Sequence, residues 1–241
     1  MKFSAIFLLA AMVVGSASAV VVPNSLAATE GDGVFSLTST GATGRTYQFI
    51  IGSNQLSSVV GHEVFGMRFR MNGAVTAAWP AAGVTYADWD VFMGAGVAPS
   101  AASNTFASNF SSSTTQVRDG AHSWNPGDFT IGGSPNNFGA ALMFNSQYLY
   151  SGGDLTIEMR FSQQVGSTTQ AAFDAVTASL GPGNGWGVDF ASRWTGNAAG
   201  TTGGNANFVV ADLITRPVPE PATMIALGAG FAALAARKRR K

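Results

Sequence analysis

Catalysis or specific binding needs nucleophiles, proton carriers, metal ligands or aromatic faces, and this chain is sparing with all but the last. It has no cysteine and only two histidines, His62 and His122, with no H-E-x-x-H spacing between them. His62 precedes Glu63 at the entry to a predicted strand, where a hydrogen-bonded structural histidine is expected. Serines are abundant, but no G-x-S-x-G nucleophile turn occurs. Asp88 and Asp90 are two residues apart and share one side of a strand. Such a pair suits the acid and base of a glycosidase or oxygen ligation of calcium. It equally suits a solvated strand face, which is the reading preferred here. Asp119-Gly120 and Gly127-Asp128 are turn-like and could add calcium oxygens, yet no D-x-D-x-D-G loop is present. No cofactor is expected, and calcium is the only ion these carboxylates suggest.

Aromatic faces are the remaining resource. The tryptophans are Trp79, Trp89, Trp124, Trp186 and Trp194. Trp79 precedes Pro80, Trp124 precedes Asn125-Pro126, and Trp186 is flanked by glycines, so all three read as loop residues. Trp124 and Trp186 are the candidates for a platform on which a sugar ring stacks, because an indole offers an apolar face with a polar handle. The plainer role, capping the ends of the core, is preferred.

The elements that would position these residues alternate with period two. Tyr47, Phe49 and Ile51 point one way, as do Phe65, Met67, Phe69 and Met71, then Trp89, Val91 and Met93, then Leu155, Ile157, Met159 and Phe161. This is the pattern of strands with one buried face. Apolar runs at 34–37, 138–144 and 208–213 add further strands. Turn formers such as Asn72-Gly73 and Ser151-Gly152-Gly153-Asp154 separate them. Outside the chain ends, only residues 170–180 favour a helix, through Ala171, Ala172, Ala175 and Ala178. The expectation is an all-β body at 20–215: an antiparallel β-sandwich, jelly-roll-like. The alternative is two smaller β-units with a seam at 100–115.

Composition excludes some roles. Residues 20–215 hold six arginines, no lysine and twelve acids, a net charge of −6. A body without a basic stripe is a poor ligand for nucleic acid. Without cysteine, disulfides are excluded.

Both chain ends carry addresses. Met1-Lys2 supplies a positive charge, residues 5–14 are apolar, and Ala17-Ser18-Ala19 is an A-x-A site. This reads as a signal peptide at 1–19, exported by the Sec machinery and cut between Ala19 and Val20. At the other end, Arg216-Pro217-Val218-Pro219-Glu220-Pro221 is stiffened by three prolines that cannot donate to a sheet. Residues 222–236 are apolar and uncharged, about 22 Å as a helix. They read as a short C-terminal transmembrane helix, extended by snorkelling of Arg237, Lys238, Arg239, Arg240 and Lys241, which mark the cytoplasmic end.

The tail at 216–241 resembles the PEP-CTERM sorting tag of exported bacterial proteins, through Val218, Pro219, Glu220 and Pro221, the apolar run and the basic end in that order. The resemblance implies recognition by an exosortase, a membrane-embedded peptidase, after transient residence in the inner membrane. It implies delivery to the cell surface or to an extracellular or biofilm matrix, in association with exopolysaccharide. The body itself is not recognised. The expected function is a non-enzymatic surface or matrix protein. The alternatives are a carbohydrate-binding module, which requires the loop tryptophans to be exposed together, and, behind it, a secreted hydrolase, which requires converging acids or a His-centred triad.

Overall fold

The computed structural model describes residues 18–179 and 183–218. In chain order its strands are β1 (Ser18–Val22), β2 (Gly33–Phe35), β3 (Arg45–Ile51), β4 (His62–Phe69), β5 (Val84–Tyr86), β6 (Trp89–Ala95), β7 (Thr115–Arg118), β8 (His122–Trp124), β9 (Leu142–Tyr150), β10 (Leu155–Phe161), β11 (Gln164–Val165), β12 (Phe173–Val176), β13 (Phe190–Thr195), β14 (Gly204–Asn205), β15 (Phe208–Val209) and β16 (Ala211–Pro217). Every ladder between these strands is antiparallel. One sheet has the order β1-β16-β4-β9 and another β14-β13-β3-β10-β6-β7. Two smaller sheets, β11-β5-β8 and β15-β12-β2, complete the body. The chain changes sheet between β3 and β4 and again between β9 and β10. Strands that pair are therefore remote in sequence, as in a jelly-roll-like sandwich.

The period-two pattern places the core. Phe49 of β3 stacks on Phe69 of β4, centroids 6.4 Å apart and planes 11° apart, and so joins the two main sheets. Phe208 meets the edge of the same ring at 5.3 Å. Met67, Leu213, Val20 and Val22 from the four-stranded sheet belong to this core, as do Val91, Ile157 and Met159 from the six-stranded one.

The outer face of the six-stranded sheet is covered too, so all seven residues of β3 are buried. Gln48 Nε2 donates to Phe106 O at 3.0 Å and to Glu158 Oε2 at 2.6 Å, and Asn109 Nδ2 donates to Gln48 Oε1 at 2.7 Å. Thr46 Oγ1 donates to Asn197 O at 2.8 Å, and Thr156 Oγ1 to Asn109 O at 2.7 Å. The polar stretch 100–115 is thus a cover laid over the sheet and not a seam between two units. Its amides satisfy polar groups that burial would otherwise leave unpaired.

The helix expected at 170–180 is replaced by β12, which pairs with β15 on one side and β2 on the other. Alanine favours a helix in isolation, but tertiary pairing overrides so weak a preference. The small residues serve close approach: a Cβ on Gly31 would stand 2.2 Å from Ala175 O. Asp174 is fully buried and ion-paired with Arg70 at 2.7 Å. Leu180, most of the signal-peptide region and the apolar tail lie outside the described residues. Among the described residues no helix is long and apolar enough to cross a membrane.

Candidate functional site

The candidate platform is not on the surface. Trp124 and Trp186 are each only 2% exposed. Trp124 lies in β8, between Trp89 at 5.1 Å, Trp79 at 5.4 Å and Phe129 at 5.1 Å. Trp186 Nε1 donates to Ala206 O at 3.1 Å, and Arg193 lies over its ring at 5.7 Å. Neither ring presents a face to a sugar, so the reading of Trp124 and Trp186 as ligand-binding residues is corrected. The turn formers beside them do bend the chain, and the bend drives each indole inward, where it buries the largest apolar area available to any side chain.

The histidines are held apart. His122 packs edge-on against Trp89 at 5.6 Å and Trp124 at 4.8 Å. Burial, and then the nearby Arg118 charge, push its pKa down to about 4. It is therefore a neutral member of the aromatic core at pH 7. His62 Nδ1 lies 3.3 Å from Thr215 Oγ1, at the start of β4.

The acids are mostly tied to backbone or amide donors. Asp88 Oδ1 accepts from Gly120 N at 3.1 Å, and Asp90 Oδ1 from Gln116 Nε2 at 3.1 Å. Partial burial, and then repulsion from Asp88, raise the pKa of Asp90. The two border a shallow cleft of about 300 Å³ with Arg160, Phe161 and Ser162. Asp128 Oδ2 accepts from Asn125 N at 2.8 Å within its own turn. Among the described residues no three His, Asp or Glu side chains converge as metal ligands would. A cavity of about 570 Å³ lies between the Asn24–Leu26 turn and the loop before β13. Its acids are engaged as well: Asp32 Oδ1 accepts from Thr177 N at 2.7 Å and Asp189 Oδ1 from Asn54 Nδ2 at 2.7 Å.

The first and last strands among the described residues, by contrast, are brought together. β16 is the last strand among the described residues and lies between β1 and β4. Ser18 is paired with Thr215, Ala19 with Ile214 and Val20 with Leu213. Ser18 Oγ and Thr215 Oγ1 are hydrogen-bonded at 2.8 Å. The residues around the A-x-A site and those leading into the proline-rich segment are therefore neighbouring strands. β16 continues through Arg216 and stops at Pro217, which has no N–H to extend a ladder. Val218 N donates to Gly61 O at 3.4 Å, and Val218 is exposed. Pro219, Glu220 and Pro221 follow, outside the described residues.

Residues 217–240 match the family described as the PEP-CTERM protein-sorting motif. The chain carries a PEP-CTERM sorting motif. No curated protein and no solved structure matches the chain. The PEP-CTERM match begins at the last residue of β16, so the motif is joined to the sandwich with no linker between them. A PEP-CTERM motif marks an exported, surface-directed protein and is recognised in general by an exosortase. The sequence reading named the motif's residues. It missed Thr215, Gly61 and the β1–β16 pairing, because nothing local records a contact between residues 197 positions apart.

Proposed function

We propose that this chain is a non-enzymatic structural protein of the bacterial surface or extracellular matrix, exported by the Sec route and released from the inner membrane by an exosortase. The observation that carries this reading is the sorting motif fused directly to a closed sandwich. In this reading residues 1–19 are a signal peptide cut before Val20, and residues 222–236 hold the chain in the membrane. Arg237 to Lys241 keep the end in the cytoplasm, each cation worth about 1 kcal/mol against an anionic leaflet. Glu220, a lone acid between two prolines in the sequence, is a recognition element in this reading. The folded sandwich is the cargo, and exopolysaccharide is the matrix component it would join.

The test replaces Pro219, Glu220 and Pro221 with alanine in a host that has the matching exosortase. The variant should be exported but remain full-length at the membrane. Shortening and release like the parent would overturn the reading and leave a plain C-terminal anchor.

A further inference from the structure

We propose that one pole of the sandwich, formed by residues 52–61, the 151–154 turn and Arg216–Val218, rests on the outer leaflet of the membrane while the tail is held there. This rests on the reading that residues 222–236 lie in the membrane.

The tether is short. β16 ends at Pro217, and the apolar run starts at Ala222. Five residue steps reach at most about 18 Å. The polar layer of one leaflet takes up roughly 5–8 Å of that distance, the difference between the whole bilayer and its hydrocarbon core. Little length is left for the body to stand away from the lipid. The tether is also directed. β16 is paired on both sides, with Thr215 against Ser18 and Val64, so the strand cannot swivel relative to the sandwich. Val218 N on Gly61 O carries that restraint one residue further. The pole that meets the membrane is thereby fixed by the fold.

The surface at this pole suits lipid. Val60 is 52% exposed and Val218 42%, both large apolar side chains left in water by the sandwich. A Cβ on Gly152 would lie 3.7 Å from Val60 Cγ1, so the 151–154 turn flanks the same tip. Ser53, Ser57, Ser58 and Ser151 are exposed around it and can donate to headgroup phosphates. The charges are neutralised or engaged: Arg216 is paired with Glu63 at 2.7 Å, and Asp154 Oδ1 accepts from Ser53 N at 2.8 Å. An apolar tip ringed by hydroxyls, held within reach of a bilayer, would lie in the headgroup layer.

The chain has no cysteine, so single cysteines can carry an environment-sensitive fluorophore without a background. Full-length Val60→Cys, Ala74→Cys and Ala229→Cys would be labelled with nitrobenzoxadiazole and reconstituted into phosphatidylethanolamine–phosphatidylglycerol vesicles. Ala74 lies beyond the other end of β4 and is exposed. The probe at 60 should emit at shorter wavelength and be quenched by lipid-borne nitroxides, whereas the probe at 74 should not. Inserting ten Gly and Ser residues between Val218 and Pro219 should remove the shift at 60. A probe at 60 as open to aqueous iodide as the probe at 74 overturns the proposal. A probe at 229 that is also aqueous shows that the tail reading itself has failed, and the proposal falls with it.

Discussion

The two main sheets spend their residues differently. The six-stranded sheet is buried on both faces at its centre. All of β3 is buried, and its outward side chains Gln48 and Thr46 lie under the loop at 98–110 and the loop after β13, respectively. The four-stranded sheet keeps one face wet. β9 alternates poorly and leaves Met143 and Leu149 about half exposed, while Arg68 and Arg216 stand on the same sheet with partly exposed heads. The first and last strands among the described residues, β1 and β16, belong to this second sheet, and β16 leads into the sorting motif. The doubly covered sheet carries the buried polar network, and the half-wet sheet carries the strand that leads into the sorting motif.

The difference can be broken from the stability side first. Phe49→Ala removes the ring that joins the sheets and should cost about 3–5 kcal/mol, read as a lower urea midpoint of the exported protein. Gln48→Ala strips partners from Asn109 and Phe106 O and one partner from Glu158, all under the cover. It should cost about 3 kcal/mol, with the loop at 98–110 becoming the first site of proteolysis. A loss as small as that of a surface change would show that the cover contributes nothing.

His122 sharpens the comparison through pH. Its folded pKa, about 4, lies below the ordinary value of 6.5. The unfolded chain therefore binds the proton first, and the contribution of neutral His122 is full above pH 6.5 and lost as pH falls towards 4. The loss should be on the order of 2 kcal/mol after allowance for the part of the ring that water reaches. His122→Phe should flatten that part of the stability profile, measured as urea midpoints at pH 7 and pH 4.5. Equal slopes for parent and variant would contradict the assignment. The smallest effect belongs to the wet sheet: Arg216→Ala removes a pair whose partners are 42% and 29% exposed. It should cost no more than about 1 kcal/mol and shift the melting temperature little.

Much of the sandwich was legible because a buried strand writes its own period. Arg45–Ile51 and Leu155–Phe161 alternate in sequence as they do in the sheet, and they pair along their full length. β12 was not legible. The alanines in and around it, Ala171, Ala172, Ala175 and Ala178, argue for a helix, whereas the approach of Gly31 and the buried Arg70–Asp174 pair, which favour the strand, come from far along the chain. The polar middle of β9, Asn145-Ser146-Gln147, carries no strand signal because an exposed edge strand buries little. Trp124 and Trp186 show another limit: neighbouring glycines and prolines indicate a bend but not the side to which the ring turns. The sorting motif could be read because its residues are contiguous in the sequence. The pairing of β16, which leads into it, with β1 had to come from three dimensions.

That pairing sets a clock. In the finished sandwich the bond between Ala19 and Val20 lies inside the β1–β16 ladder, where a peptidase that needs an extended, unpaired substrate cannot take hold of it. Ser18 and Thr215 are separated by 197 residues. At roughly 5–20 residues per second, the partner strand arrives on the order of 10–40 s after the leader. On the proposal that residues 1–19 are a signal peptide, cleavage after Ala19 falls within that interval. On the same proposal, a chain that closes β16 before the cut keeps Ser18 and Ala19 paired with Thr215 and Ile214, on the strand that leads into the sorting motif.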